Sequence, residues 1–143
     1  MTFLLDVNVL VALIDPVHLH HSLVDEWFAI EGQNNWATCP MTENSATRIV
    51  GSSWYTNSPG TPAAVAQVLS ELRNSPGHTF WPDNISLLDY SKIDVTRVLT
   101  PAQVTDSYLL ALAQAHGGQL ATLDQRLVTG AVYDGAKSLR LIR

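Results

Sequence analysis

Asp106 is the carboxylate hardest to assign to solvent or to a helix cap. Thr100-Pro101 opens a helical stretch that runs to Gly117-Gly118, and Asp106 is its sixth residue, beyond the first turn where the helix dipole favours an anion. Its neighbours at i+3, i+4 and i+7 are Leu109, Leu110 and Ala113, and residues 108–113 are apolar almost all round. Such a helix is buried, so Asp106 faces inward. A buried carboxylate neutralises, pairs with a base or binds a metal, and the sequence leaves all three open. Asp6 and Asp124 each follow directly on a short apolar run that reads as a strand, and in open parallel sheets ligands bind outside the carboxyl ends of the strands. Glu43 sits in the first turn of another helical stretch. Each of these three also has an ordinary reading: Asp6 as N-cap of the helix at Val7, Asp124 as cap of a short helix through Leu127 and Val128, Glu43 as a dipole-favoured first-turn acid. Carboxylate oxygens without His or Cys suit Mg²⁺ or Mn²⁺ rather than zinc or copper. The matching chemistry is phosphoryl transfer, in which a cation acidifies a bound water and holds a phosphodiester for in-line attack.

The elements that must position these acids alternate between strand and helix. Thr2 to Leu5 reads as a strand and Val7 to Ile14 as a buried helix closed by Asp15-Pro16. Ser22 is positioned to cap a helix whose apolar face is Leu23, Val24, Trp27, Phe28 and Ile30, with Gly32 as its stop. Asn35 to Cys39 is a second strand. Met41 to Trp54 is then helical, with Glu43, Ala46, Thr47, Val50 and Trp54 along one face. Thr61-Pro62 starts a helix carrying Val65, Val68, Leu69 and Leu72, ended by Asn74-Ser75-Pro76-Gly77. Thr79 to Trp81 is a third strand, Ile85 to Leu99 carries mixed signals, Gln119 to Thr122 is a strand, and residues 138–143 form a last edge strand. This alternation predicts an α/β fold: a single compact domain over 1–143, with a mostly parallel central sheet flanked by helices.

With 143 residues, 46% of them apolar and 15% charged, the chain is sized for one domain with a full core. The one cysteine, Cys39, makes no internal disulfide, and no Cys/His set has zinc spacing, which points to a reducing compartment. Met1 to Ile14 lacks a basic flank and a small-residue cleavage site, so no signal peptide is expected, and no stretch has membrane-span length. A formal net charge of −5 argues against polyanion binding, unless cations convert an acidic pocket from repelling phosphate to holding it.

The pieces Leu5-Asp6-Val7-Asn8-Val9-Leu10, Thr42-Glu43, Val104-Thr105-Asp106 with Leu109 to Ala113, and Leu120-Ala121-Thr122-Leu123-Asp124 together resemble the PIN-domain family, and within it the VapC-type ribonuclease toxins of prokaryotic toxin–antitoxin pairs. The resemblance runs nearly end to end, with looser matching between Trp54 and Leu99. It implies a metal-dependent endoribonuclease in which Asp6, Glu43, Asp106 and Asp124 form a Mg²⁺ or Mn²⁺ site, with Asn8 and Thr122 as polar helpers. It further implies a homodimer in the prokaryotic cytoplasm, inhibited by a cognate VapB-type antitoxin, acting on RNA and not on membranes. Arg48 and Arg126 are candidate RNA-backbone contacts.

Two other classes use similar acids. A non-catalytic PIN-like module would bind RNA or protein without needing every carboxylate. A Mg²⁺-binding phospho-switch of receiver type would use a C-terminal lysine such as Lys137, but it wants a mid-chain acceptor, and residues 51–82 contain no Asp. His18, His20 and His21 lack a fourth ligand and are expected at the surface; Cys39 has no partnered His nearby; Trp27, Trp36, Trp54 and Trp81 are expected in the core rather than stacked on bases.

Overall fold

Strand β1 (Phe3–Leu5), buried at all three residues, is the centre of the sheet. A computed structural model, describing residues 1–143, pairs it in parallel with β2 (Trp36–Thr38) on one side and β4 (Gln119–Thr122) on the other. Strands β3 (His78–Phe80) and β5 (Leu139–Leu141) pair in parallel outside β2 and β4, giving the order β3-β2-β1-β4-β5. The chain therefore winds outward from β1 to β3, returns beside β1 as β4, and continues to the other edge. The reversal lies between β1 and β4, where a doubly wound sheet opens a crevice at its carboxyl edge. Receiver domains follow the order 2-1-3-4-5, so this topology sets the phospho-switch alternative aside.

Helices cover both faces, which is why the strands read as continuous apolar runs instead of alternating ones. On one face Phe3, Leu5, Trp36 and Ala121 pack against α1 (Val7–Ile14), α2 (His21–Trp27), α3 (Pro40–Val50) and α4 (Pro62–Arg73). On the other, Leu4, Ala37 and Leu120 pack against α5 (Pro101–Ala115), whose residues 107–113 are all buried. Proline at the first helical position begins α3, α4 and α5, where its missing N–H costs nothing. The Thr61 hydroxyl caps α4 by accepting from the Ala64 amide at 3.1 Å.

Several boundaries depart from the sequence reading. Helix α2 starts at His21, with His20 rather than Ser22 at its N-cap. Its last turn widens into a π-helical turn at Phe28–Gly32, which shifts Ile30 off the apolar face and leaves it 74% exposed. Helix α3 ends at Val50, not Trp54, because Gly51 lies against the Pro62 backbone at the start of α4; Trp54 is consequently exposed. Strand β3 begins one residue earlier than predicted, and Trp81 follows it as a buried core residue. The segment 85–99 contains a 3₁₀ turn at Val95–Arg97 and one antiparallel bridge, Ile93 to Val132, which anchors the fully buried Ile93. Its apolar residues reach the core singly from turns, so no helical or strand period was there to be read. Asp124 heads a turn and not a helix, its Oδ1 accepting from the Arg126 amide at 2.9 Å.

Gly77 marks a close backbone approach that a side chain would block. Its carbonyl receives the Trp36 amide at the entry to β2, and a Cβ there would collide with the Gln33 carbonyl oxygen. Gly77→Ala is expected to destabilise the fold by roughly 1–3 kcal/mol, the range for overpacking, seen as a lower urea midpoint. Gly130→Ala, where a Cβ meets nothing nearer than 4.0 Å, is expected to leave the midpoint unchanged.

Candidate functional site

The register of β1 and β4 sets the geometry. Leu5 pairs with Ala121, and the Asp6 amide donates to the Ala121 carbonyl at 2.9 Å, so Asp6 and Thr122 leave the sheet side by side. The Asp6 carboxylate is buried, with Oδ1 accepting from the Val7 amide at 2.7 Å and Oδ2 from the Thr122 hydroxyl at 2.7 Å. Thr122 Oγ1 in turn accepts from Asn8 Nδ2 at 3.1 Å and from the Asp124 amide at 3.1 Å, while Asn8 Oδ1 accepts from the Leu123 amide at 3.1 Å. Asp6 is thus both the cap of α1 and a member of a polar network. Thr122 and Asn8 are the struts that hold it.

A pocket of about 430 Å³ opens over this network, lined by Asp6, Asn8, Asp106 and Asp124 together with Thr105 and His18. Burial, and then the charges of Asp6 and Asp124, push the Asp106 carboxyl up to about 6. Burial also raises Asp6 above the ordinary carboxylate range, against the hydrogen bonds from Thr122 and Val7 and with the Asp124 charge adding to it. None of the three ion pairs in the molecule involves these aspartates. Asp106 is half-buried and has no salt-bridge partner, which removes that explanation for it.

Glu43, expected with these acids, does not line this pocket. It lies on the side of α3 facing α4, where Arg73 Nη1 stands 3.1 Å from its carboxylate and the Thr38 hydroxyl donates to it at 2.6 Å. These groups border a separate cavity of about 650 Å³ between α3 and α4, whose lining includes Arg48; Ile49, one residue further along α3, lines the aspartate pocket instead. The physical reason is Arg73, a cation 30 residues away in sequence that the α3–α4 packing delivers to Glu43. Arg48 and Arg126 are both exposed.

Of the histidines, His20 is exposed and His21 lies against the Ala12 carbonyl, but His18, expected at the open surface, borders the aspartate pocket. Only the turn after α1 brings it there, so neither spacing nor composition carried the signal. Cys39 is fully buried, and burial pushes its thiol up to about 11, which leaves no thiolate for nucleophilic chemistry. Trp27, Trp36 and Trp81 are core residues.

No three His, Cys, Asp or Glu side chains close around a point as an all-protein metal cage. The donor set nevertheless fits a hard divalent cation. Asp6, Asp106 and Asp124 offer carboxylate oxygens alone and repel one another without a counter-charge, and Mg²⁺ commonly keeps several waters and takes only one or two carboxylates.

A family model described as PIN domain matches residues 3–131. The chain is 42% identical over 131 residues to Ribonuclease VapC39 of Mycobacterium tuberculosis, covering 92% of this chain and 94% of that protein. It is 39% identical over 137 residues to Ribonuclease VapC44 of the same species, covering 96% of each, and 41% identical over 127 residues to Ribonuclease VapC29, covering 89% of each.

The raised Asp106 carboxyl has a stability consequence with a definite sign. Its folded-state value, about 6, lies above the unfolded value of 3.8. The folded state therefore holds the proton more tightly between these values, and stability falls as pH rises through them. Asp106→Asn removes this ionisation. In chelator it is expected to melt higher than the unsubstituted protein at pH 8, by a margin that shrinks on acidification and closes near pH 4. Melting curves across that range check it; a margin independent of pH would refute the raised Asp106 carboxyl.

Proposed function

The chain belongs to the PIN-domain family, and from that membership and its aspartate pocket we propose that it is a VapC-type endoribonuclease, the toxin of a type II toxin–antitoxin pair. The observation that carries the reading is a pocket lined by three aspartates and no arginine or lysine, placed where the sheet reverses between β1 and β4. Relatives named ribonucleases align over nearly the whole chain and support the same substrate class.

Asp6, Asp106 and Asp124 would hold Mg²⁺ or Mn²⁺. When bound, the cation supplies Lewis acidity toward a phosphodiester and a water acidic enough to attack it. The protein's own part is positional. Thr122 and Asn8 fix the Asp6 carboxylate, the buried length of α5 fixes Asp106, and the turn at Asp124, held by the Arg126 amide, places the third acid in the same pocket lining. Glu43 pairs with Arg73 and lines the α3–α4 cavity. Arg48 and Arg126, both exposed, are the proposed contacts for RNA phosphates.

The partners follow from the same reading. A VapB-type antitoxin would place an arginine in the aspartate pocket, since a guanidinium binds carboxylates bidentately and displaces the cation. The working form is proposed to be a homodimer in the bacterial cytoplasm. No helix is long and apolar enough to cross a membrane.

Purified protein is expected to cut RNA in Mg²⁺ or Mn²⁺ and to stop on chelation. Asp106→Asn should be inactive, while Asp25→Asn, on an exposed position of α2, should cut normally. Independently of turnover, Mn²⁺ at 100 times its Kd contributes about 2.7 kcal/mol to stability, a rise of several degrees in melting temperature for a domain of this size. Asp106→Asn should show little of that rise. Activity that persists in chelator, or an equal Mn²⁺ shift in the variant, would defeat the metal reading.

A further inference from the structure

Three carboxylates and one divalent cation still leave the pocket a formal charge of −1, since −3 + 2 = −1. A phosphate entering it needs hydrogen-bond donors on the side away from the cation. The protein supplies few. The Asn8 amide commits its oxygen to the Leu123 amide and one of its two Nδ2 hydrogens to Thr122. The donors left among the lining side chains are the second Asn8 Nδ2 hydrogen, the Thr105 hydroxyl at the rim, and the ring of His18.

His18 is prepared for this role by its surroundings. Its Nδ1 accepts from the His20 amide at 3.0 Å. A nitrogen that accepts bears no proton, so in the neutral ring the proton is on Nε2. The turn that carries it is tied down by Asp15, which is buried: its carbonyl accepts from the His18 amide at 3.1 Å, and its carboxylate from the Val17 amide, the Tyr55 hydroxyl and the Asn57 amide. On the far side, the His21 ring meets the Ala12 carbonyl at 2.7 Å. A surface histidine requires no such bracing.

We propose that His18 is a substrate-contacting residue, its Nε2–H donating to a non-bridging oxygen of an RNA phosphate bound over the Asp6, Asp106 and Asp124 pocket. The inference rests on the ribonuclease reading and extends it. The contact orients the phosphodiester without entering the cation's coordination. Hydrogen bonds to charged groups of this kind correspond to roughly a 10- to 100-fold effect on rate or affinity.

The test compares His18→Ala, His18→Gln and Asp25→Asn with the unsubstituted protein in Mg²⁺-dependent RNA cleavage. It also measures RNA oligonucleotide affinity by fluorescence anisotropy in an Asp106→Asn background, and the Mn²⁺ melting shift. His18→Ala is expected to lower kcat/KM by roughly 10- to 100-fold, to weaken RNA binding in the inactive background, and to keep the full Mn²⁺ shift. His18→Gln, which retains a side-chain N–H donor, should recover part of the loss. Cleavage and RNA binding unchanged in His18→Ala would overturn the His18 contact and leave the ribonuclease reading standing. Loss of the Mn²⁺ shift would also overturn it, by placing His18 in the cation site. If the unsubstituted protein cuts no RNA in either metal, both readings fall together.

Discussion

Like charges held together at one edge of a sheet must be restrained by the rest of the molecule, and here the restraint begins with one hydrogen bond. The Thr122 hydroxyl donates to Asp6 across the parallel pair β1 and β4. That donation fixes a carboxylate that is buried and raised by its burial. The same oxygen accepts from Asn8 and from the Asp124 amide, so the placement of the first acid also sets the placement of the third. Two unit charges about 4 Å apart repel by about 4 kcal/mol at an effective dielectric of 20. Strand pairing and the buried residues 107–113 of α5 hold the backbones that carry these acids in place.

The molecule also keeps its charges in separate compartments. The pocket at the β1–β4 junction contains aspartates and no arginine or lysine. The cavity between α3 and α4 contains Arg48 and Arg73 with Glu43. The Glu43–Arg73 pair is partly exposed, and pairs of that kind contribute little to stability. Its effect is on partition. Glu43 meets its cation on its own side of α3, and Ile49 forms the apolar wall on the other side. The aspartate pocket is left with three carboxylates and no arginine or lysine in its lining.

Much of this was legible in the chain. Short apolar runs alternating with capped, proline-started helices specify an α/β sheet covered on both faces, because parallel strands need crossovers and helices need an apolar stripe to bury. The position of Asp106, past the first turn of a helix apolar all round, and the strand-end positions of Asp6 and Asp124 specify the acids, because local sequence decides where an element stops and which of its faces is buried. Asn8 and Thr122 were legible through family resemblance, and the fold shows them as the struts of Asp6.

Tertiary structure alone decided the rest. Whether Glu43 joined the aspartates depended on Arg73, which α4 delivers from 30 residues away. Whether His18 faced solvent or the pocket depended on the turn that buried Asp15 ties to Tyr55 and Asn57, about 40 residues distant. The widening of α2 at Phe28–Gly32 and the halt of α3 at Gly51 were likewise set by partners outside their own segments. Local sequence carries the period and the caps of an element. The partner of a side chain on its outer face is settled only when two distant elements pack, so the sequence by itself determined the sheet and three of its acids, and the fold decided which other groups could reach them.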